Sequence, residues 1–534
     1  MSYYQDLKTD LKSTLKFGTV SEYDVGKLLL SIKSQAVGSD GFGVGFIVLC
    51  CPFILKYITH LISFCVLESV FPSQWKIAHV VPLSKGSSVS GLKDLRPISI
   101  LPVLSKILEK VVKQQLLNHL NYNNILPDTQ SSFRRGHGCA TTLLNVTDSI
   151  FCATDEGKLT TLVMLDYSKA FDALNHSILL LILRHIGLEP SAVRFFEAYL
   201  LGRRQHVVLG GNISESLNIE RGVPQGSILG PILYTIYTFS FPKFLEFCEV
   251  QMYADDTQII LSFFPKDLEL GCQRLNRDLD IIHTGSFEHC LLLNPGKCNA
   301  MLFGTPIDRK RYVNHMYLTI ANNPILLSEE AKNLGVWMDS SLRYVKHVSE
   351  CIRKSICKIK LLFGSRMLLT PHLKKMLTDS LVLSTFNYCD VVYGPCLTAF
   401  DSQRIQKMQN YCLRFIFGLK KHEPVSHKLS DVNWLKMKER RRLHCATLYH
   451  KILITKTPLY LYKRLNFRTD VHNLNLRNRG LLTPPFHRTA FFERSFSYNV
   501  PALYNGVALS LGKLSLSGFA SEYRKIVENV GTSA

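Results

Sequence analysis

The chain has 534 residues, of which 46% are hydrophobic and 20% charged, the composition of an ordinary globular protein with room for several domains. Its fifteen cysteines form no CxxC pair and no Cys/His cluster, which excludes a zinc module. Residues 341–534 hold 32 basic and 11 acidic residues, a net charge of +21, whereas residues 1–340 hold 31 of each. This asymmetry predicts a polyanionic partner along the C-terminal third.

The first seventy residues are predicted to be helical, with a glycine-rich break at 38–43. Residues 1–16 are polar and charged, so no secretory signal opens the chain, and we expect an intracellular protein of the nucleus or cytoplasm. The apolar run 42–55 contains Pro52 and, at fourteen residues, is too short to span a bilayer. Apolar residues from Ile54 to Val66 recur at helical spacing, which predicts a buried helix and no membrane partner.

Two β-prone runs follow, at 75–83 and 95–101, with a polar loop between them. Lys85 and Arg96 flank this hairpin-like turn, where two cations could hold a triphosphate. Isolated charges in such a turn are more often ordinary surface residues. Residues 105–120 then form a predicted helix with one apolar face.

A near-continuous apolar run at 162–165 ends in Asp166 and predicts a buried strand with a carboxylate at its exposed end. Residues 205–209 and 213–219 are predicted to pair as strands. The segment 221–227 places two glycines and a proline just before an apolar helix at 228–239, which would let a ligand approach the backbone closely. The alternative for this segment is a plain loop in which Ser227 caps the helix.

The stretch Tyr253-Ala254-Asp255-Asp256 joins β-prone runs at 250–252 and 257–261, which predicts a hairpin with two acids at its tip. Adjacent carboxylates repel, but divalent cations shared with a third carboxylate would stabilise them. A strand ending in Asp166 beside this hairpin would gather three acids around two cations about 3.5–4 Å apart, the arrangement of two-metal phosphoryl transfer. For an isolated Asp-Asp pair, a polar surface turn is the alternative.

Four more features complete the pattern. Residues 267–282 form a predicted helix, and 291–298 lead into a strand at 300–303. Residues 333–339 are a predicted strand and turn. From about 341 the pattern is helical, and its densest basic run, 436–442, predicts a nucleic-acid-binding face or a nuclear address.

These segments resemble, in the family's order, the reverse transcriptases of jockey-like non-LTR retrotransposons of animals. The resemblance covers roughly residues 30–530 and rests on eight stretches. They are 75–83, Arg96-Pro97-Ile98-Ser99, Gln130-Ser131-Ser132-Phe133-Arg134, Leu165-Asp166-Tyr167-Ser168-Lys169-Ala170-Phe171-Asp172, Gly222-Val223-Pro224-Gln225-Gly226-Ser227, Tyr253-Ala254-Asp255-Asp256, Leu293-Asn294-Pro295-Gly296-Lys297 and Asn333-Leu334-Gly335-Val336.

The resemblance implies an α+β fold of the right-hand polymerase type, with an antiparallel palm sheet and a mostly helical, basic C-terminal third. The implied segments are a helical extension (1–70), fingers (71–160), a palm with the catalytic acids (161–338), a helical thumb (339–460) and a tail (461–534). The implied activity is that of an RNA-directed DNA polymerase, a nucleotidyltransferase. Its implied ligands are two Mg²⁺ ions, or Mn²⁺, with an RNA template, a DNA primer and dNTPs.

The resemblance also implies roles for single residues. The implied metal ligands and catalytic acids are Asp166, Asp255 and Asp256, with Asp256 the least certain direct ligand, and Lys297 would be the general acid for pyrophosphate. The implied substrate contacts are Lys85 and Arg96 on the triphosphate, Phe171 as the ring that excludes a 2′-hydroxyl, and Gln225 and Gly226 in the nucleotide and template pocket. Leu334 and Gly335 would belong to the primer grip.

The sequence departs from the family in several places. It leaves no room for an endonuclease ahead of the polymerase, shows no RNase H or zinc knuckle after it, and has Tyr504-Asn505-Gly506-Val507 where the family has Trp-Asn-Leu-Pro. We therefore do not expect this chain alone to integrate. Two alternatives stay open: an RNA-dependent RNA polymerase or telomerase-like enzyme, which Phe171 argues against, and a catalytically inactive, truncated element relic that binds nucleic acid through residues 341–534.

Overall fold

The computed structural model describes residues 11–86, 91–471, 480–507 and 511–532. The start of the predicted N-terminal extension and part of the loop between Lys85 and Arg96 lie outside the described residues. The strands, in chain order, are β1 (Ile77–Ser84), β2 (Leu95–Ile100), β3 (Leu159–Leu165), β4 (Arg203–Leu209), β5 (Asn212–Ile213), β6 (Leu217–Ile219), β7 (Glu249–Tyr253), β8 (Asp256–Phe263), β9 (Asn299–Phe303), β10 (Thr319–Ile320), β11 (Asn323–Pro324), β12 (Glu330–Asn333) and β13 (Val336–Asp339).

Helices make up most of the remaining regular structure, and one π-helical turn, Thr378–Leu383, continues the helix before it. The α-helices, in chain order, are α1 (Glu22–Leu30), α2 (Val44–Leu67), α3 (Val103–Tyr122), α4 (Cys139–Asp155), α5 (Ala170–Ala173), α6 (His176–His185), α7 (Pro190–Leu200), α8 (Gly230–Tyr237), α9 (Leu268–Glu288), α10 (Pro306–Tyr312), α11 (Val345–Gly364), α12 (Pro371–Leu377), α13 (Ser384–Asn387), α14 (Asp390–Tyr393), α15 (Ala399–Phe417), α16 (Lys428–Asp431), α17 (Met437–Thr455), α18 (Leu459–Tyr462), α19 (Arg468–Val471), α20 (Phe496–Tyr504) and α21 (Leu516–Thr532).

The chain divides into two compact units, each assembled from separate stretches of sequence. Among the described residues, the first unit contains those within 1–133, 166–246 and 278–294, and the second contains those within 134–165, 247–277 and 295–534. Mixed helix and sheet in both units confirm the α+β class. The five consecutive segments of the right-hand polymerase stay a prediction.

The first unit contains a sheet in the order β2-β1-β4-β5, with β6 also paired to β4. Strands β1 and β2 are antiparallel, with Ser84 opposite Leu95, and β1 lies parallel to β4. The predicted strand pairs on either side of the polar loop and around residues 210–211 are therefore confirmed. Helix α3 buries the predicted apolar face, whose members include Ile107, Leu108 and Val112.

Helix α2 corrects the prediction for residues 42–66. The structure forms one helix of 24 residues through Pro52, where the sequence predicted a short apolar run followed by a buried helix. Ile58 and Ile62 are buried as predicted, but Leu49 is 76% and Phe53 79% exposed. Among the described residues this is the one helix long and apolar enough to cross a membrane, a test that core helices of globular proteins also pass. The absence of a membrane partner stays a prediction.

The second unit contains an antiparallel sheet in the order β7-β8-β3-β9. The inner strand β3 is buried along most of its length, because β8 and β9 flank it and α4 packs against the sheet. This burial explains the apolar run at 162–165. Leu143, Ile150 and Phe151 of α4 share one core cluster with Leu162 and Ile260 of the sheet.

From about residue 341 the described part of the second unit is mostly helical, as predicted. Helices α11 and α15 bury apolar residues such as Val348, Ile405 and Ile416 in a core of their own. Helix α17 packs against α21 through Ala446 and Phe519. Strands β12 and β13 form a hairpin, which confirms the predicted strand and turn at 333–339.

Candidate active site

The predicted acidic hairpin is present in the second unit, at one end of its antiparallel sheet. Strands β7 and β8 pair from Glu249 opposite Ile260 to Tyr253 opposite Asp256. Ala254, at φ +56°, and Asp255 form the two-residue turn, and a positive φ at the first turn position is typical of tight hairpins. Asp255 is half-buried in the turn, whereas Asp256 is exposed and already belongs to β8. The two acids are therefore neighbours in sequence but differ in burial.

The register of β3 and β8 decides which residues lie near this turn. Leu165, the last residue of β3, is the partner of Thr257, and Asp256 directly precedes Thr257. Asp166 directly follows Leu165, so one peptide unit separates it from the paired strand end. Strand β3 thus ends at the same edge of the sheet as the acidic turn.

The carboxylates at this edge of the sheet are candidate ligands for a divalent cation. Carboxylate oxygens are the ligands that Mg²⁺ prefers, so the donor type fits. Within the described ranges, however, no group of three or more His, Cys, Asp or Glu side chains is placed to hold a metal ion. The sequence supplies suitable donors, but the side chains that the structure describes form no ready-made cluster of three.

In the first unit, the segment after Asp166 is held by the backbone of residues 292–294. The Asn294 N–H donates to the Asp166 carbonyl oxygen at 2.8 Å, and the Ser168 N–H donates to the Leu292 carbonyl oxygen at 2.8 Å. These bonds link two stretches that the sequence predicted as site segments. Lys297, the predicted general acid, is exposed in the 3-10 turn Pro295–Lys297 that follows in the second unit.

The predicted steric gate, Phe171, lies in α5 and stacks on another aromatic ring. Its ring centroid is 4.6 Å from that of the fully buried Tyr234 of α8, with 24° between the ring planes. The Val223 N–H donates to the Phe171 carbonyl oxygen at 3.0 Å. Phe171 is therefore held both by its ring and by its backbone.

The glycine-containing loop at 222–227 is fixed by close backbone contacts in the same unit. A Cβ atom on Gly222 would lie 2.7 Å from the Asp172 carbonyl oxygen, and one on Gly226 would lie 2.4 Å from the Ser99 carbonyl oxygen. The Ser99 N–H donates to the Gln225 carbonyl oxygen at 2.7 Å. Both glycines have positive φ, so this loop needs glycine for conformation as well as for space.

The end of this loop rests on a buried carboxylate from α3. Glu109 accepts hydrogen bonds from the N–H groups of Ile228 at 2.7 Å and Leu229 at 2.9 Å, just before α8. Burial raises the pKa of Glu109, while the Arg203 charge and these hydrogen bonds oppose the rise. A negative charge at the amino end of α8 is favourable because it complements the helix dipole.

The two predicted triphosphate cations lie at the β1–β2 turn of the first unit. Arg96, on β2, is the partner of Leu83, and the Lys85 N–H donates to the Asp94 carbonyl oxygen at 2.8 Å. Both Arg96 and Lys85 are exposed. Strand β2 carries both Arg96 and Ser99. Ser99 in turn contacts the loop that contains Gln225.

In the second unit, the predicted primer-grip residues form the turn of the β12–β13 hairpin. Leu334 has φ +43° and Gly335 has φ +85°. The Tyr388 hydroxyl donates to the Leu334 carbonyl oxygen at 2.8 Å, which fixes the turn against the helical region. The Asn333 side-chain amide donates to Gln258 at 2.7 Å, and Gln258 lies on β8 two residues after Asp256.

Residues 84–338 match the family described as reverse transcriptase (RNA-dependent DNA polymerase). This stretch therefore matches a reverse transcriptase domain. Every site residue predicted from the sequence, from Lys85 to Gly335, lies inside it. The predicted resemblance to reverse transcriptases is thereby confirmed for these residues.

Curated relatives confirm the predicted resemblance to polymerases of mobile elements. The chain is 29% identical over 379 residues to the probable RNA-directed DNA polymerase from transposon X-element of Drosophila melanogaster, which covers 68% of this chain and 40% of the relative. It is 26% identical over 424 residues to the probable polymerase from transposon BS of the same species (74% and 45%). It is 25% identical over 425 residues to that of mobile element jockey (77% and 45%). The chain thus spans less than half the length of these relatives.

Four residues to which the sequence assigned no role in the site also hold these segments in place. Asp172 and Ser99 contact the Gln225 loop, Glu109 holds the start of α8, and Tyr388 holds the Leu334 turn. Glu109 carried a usable signal, because it is a carboxylate within the apolar stretch of a predicted amphipathic helix. The other three are parts of motifs or helices whose partners only the fold reveals.

Proposed function

We propose that this chain synthesises DNA on an RNA template by adding deoxynucleotides to a primer 3′-hydroxyl. The observation that carries the proposal is the β3–β8 register, which ends the strand before Asp166 beside the Asp255-Asp256 turn within a reverse transcriptase domain. In this proposal the β7-β8-β3-β9 sheet is the palm. Fingers and thumb are the proposed roles of the β1–β2 region and the helical region after residue 341.

The proposed ion-binding groups are the carboxylates of Asp166, Asp255 and Asp256. Bound Mg²⁺ or Mn²⁺ would lower the pKa of the attacking hydroxyl and neutralise charge on the triphosphate. Asp255 is half-buried in the turn, and partial removal of water strengthens its attraction to a cation. Lys297 is exposed in the short 3-10 turn that precedes β9. It would donate a proton to the departing pyrophosphate.

The proposed nucleotide contacts follow from the first unit. Lys85 and Arg96 are exposed cations that would pair with triphosphate oxygens, Arg96 in bidentate fashion. Phe171 would form the wall beneath the sugar, and its stack on Tyr234 leaves it little freedom to move away from a 2′-hydroxyl. Gln225 and Gly226 would line the pocket for nucleotide and template.

The proposed nucleic-acid contacts follow from the second unit. The turn at Leu334 and Gly335 is tied to Tyr388 and would hold the primer end. The net charge of +21 in residues 341–534 would neutralise phosphates of the template–primer duplex. No observation favours the inactive relic, whose predicted behaviour is nucleic-acid binding without synthesis. We place the activity inside the cell.

Primer extension on an RNA template tests this function directly. The parent chain should extend a DNA primer with dNTPs in Mg²⁺, and Asp255→Ala/Asp256→Ala should abolish extension while binding template–primer as tightly as the parent. Asp280→Ala/Glu288→Ala, which removes two exposed acids from α9, is the matched control and should extend normally. A parent that binds template–primer but extends nothing in Mg²⁺ or Mn²⁺ would refute the proposal.

A further inference from the structure

The backbone around Gln225 is held in one position. Its carbonyl oxygen accepts from the Ser99 N–H at 2.7 Å, and the close approach of Gly226 to Ser99 leaves no room for a shift toward β2. The Ser227 N–H donates back to the Pro224 carbonyl oxygen at 3.0 Å. With the backbone fixed on both sides of Gln225, its remaining freedom lies in the side-chain amide.

One carboxylate restricts that amide. The Gln225 Nε2 group donates to Asp172 Oδ1 at 2.8 Å. An ionised carboxylate only accepts hydrogen bonds, so Asp172 pairs with the NH₂ group of Gln225 and not with its carbonyl oxygen. The chemistry of the partner therefore decides the amide orientation, which coordinates alone often leave ambiguous.

Asp172 is itself well supported. Its N–H donates to the Lys169 carbonyl oxygen at 2.9 Å, and Gly222 packs directly on its backbone. It is also the chain neighbour of Phe171, whose ring is stacked on Tyr234. Asp172 is thus placed to hold the amide while the residue before it forms the proposed sugar wall.

We propose that Asp172 is a positioning residue, which turns the carbonyl oxygen Oε1 of Gln225 outward as a fixed acceptor for a hydroxyl or amino group of the incoming nucleotide. Within the part of the chain that the structure describes, Oε1 has no hydrogen-bond donor, and the Gln225 side chain is half-buried. This inference rests on the proposed function and deepens it. A fixed acceptor favours nucleotides that present a donor at this point, because its orientation is set before binding.

The test is Asp172→Asn, measured by nucleotide binding so that it does not depend on catalysis. The parent is bound to an RNA template and a primer whose 3′ end lacks a hydroxyl, and the Kd of the complementary dNTP is measured in Mg²⁺. In Asp172→Asn, the new side-chain amide has both a donor and an acceptor. It can therefore pair with either the NH₂ group or the carbonyl oxygen of Gln225, so Oε1 is no longer held outward. The dNTP Kd should rise about tenfold, the order expected for one hydrogen bond, while the template–primer Kd stays unchanged. Asp280→Asn, an exposed Asp in the same unit, should leave both unchanged.

A double-mutant cycle separates positioning from general support of the fold. In a Gln225→Ala background, Asp172→Asn should cause no further change in the dNTP Kd, because there is no amide left to orient. The proposal is overturned if Asp172→Asn leaves the dNTP Kd at the parent value, raises it equally in the Gln225→Ala background, or weakens template–primer binding instead. Failure of primer extension by a parent that binds dNTP normally would refute the proposed function and leave this inference standing.

Discussion

Replacing Gly226 by alanine should damage the proposed nucleotide pocket far more than the fold. Gly226 has φ +131°, a region that side chains rarely adopt and that costs about 1–3 kcal/mol. The new Cβ atom would lie 2.4 Å from the Ser99 carbonyl oxygen, whereas real Cβ atoms stay beyond 3.0 Å. The loop would therefore withdraw by at least about 0.6 Å, and the 2.7 Å hydrogen bond from Ser99 to Gln225 would lengthen past its normal range.

A shift of this size next to the substrate should lower kcat/KM for dNTP incorporation by about 100-fold, since misplacement by about 1 Å commonly costs that much. The assay is steady-state primer extension, with thermal unfolding measured on the same samples. Gly202→Ala is the matched control: its φ is +69°, but nothing lies within 4 Å of its Cβ position, so it should lose about 1 kcal/mol of stability and keep its activity. A Gly226→Ala variant with the parent kcat/KM would refute the close packing of this loop.

Three other outcomes are expected. Burial, aided by two nearby lysines, lowers the pKa of His347 from 6.5 to about 4, so the unfolded chain binds the proton more tightly. The free energy of unfolding should therefore fall by about 3 kcal/mol as the pH drops from 6.5 to 4. In urea unfolding, His347→Gln should not show this loss over the same pH range. Phe171→Ala should raise incorporation of rNTP relative to dNTP by about 10- to 100-fold in competition assays. Tyr388→Phe, which removes the hydrogen bond to Leu334, should speed primer dissociation without changing the KM for dNTP.

The sequence predicted those parts of the fold whose signals are local. The apolar run ending at Asp166 predicted a buried strand, and β3 is a buried inner strand of its sheet. The acids at 255–256 between two β-prone runs predicted the hairpin, although Asp256 belongs to the strand and not to the tip. These predictions succeeded because hydrophobic periodicity, turn-forming residues and apolar content can all be read from a segment of a few residues.

Helix α2 shows where local signals mislead. Pro52 lies inside the predicted apolar run 42–55, yet the helix continues from Val44 to Leu67. Proline removes one backbone donor and disturbs one turn of a helix, which a long helix with many other hydrogen bonds can absorb. The exposure of Phe53 was equally hidden, because apolar spacing does not tell which face another element covers.

The site was predicted as a set of residues but not as a set of contacts. The glycines of the Gln225 loop indicated that something approaches its backbone, and in the fold Ser99 of β2 does so. The bond between Asp172 and Gln225 joins residues 53 positions apart. Such a pair depends on how strands and helices pack, which no window of sequence contains.

The most direct test of the account is the single-turnover rate of nucleotide addition by Asp166→Asn. Asparagine keeps the size of the side chain but removes the charge that would hold a cation at the end of β3. We predict that the rate of addition falls by about 1,000-fold or more, with the template–primer Kd within about twofold of the parent. Addition at the parent rate would contradict a catalytic site built from Asp166, Asp255 and Asp256.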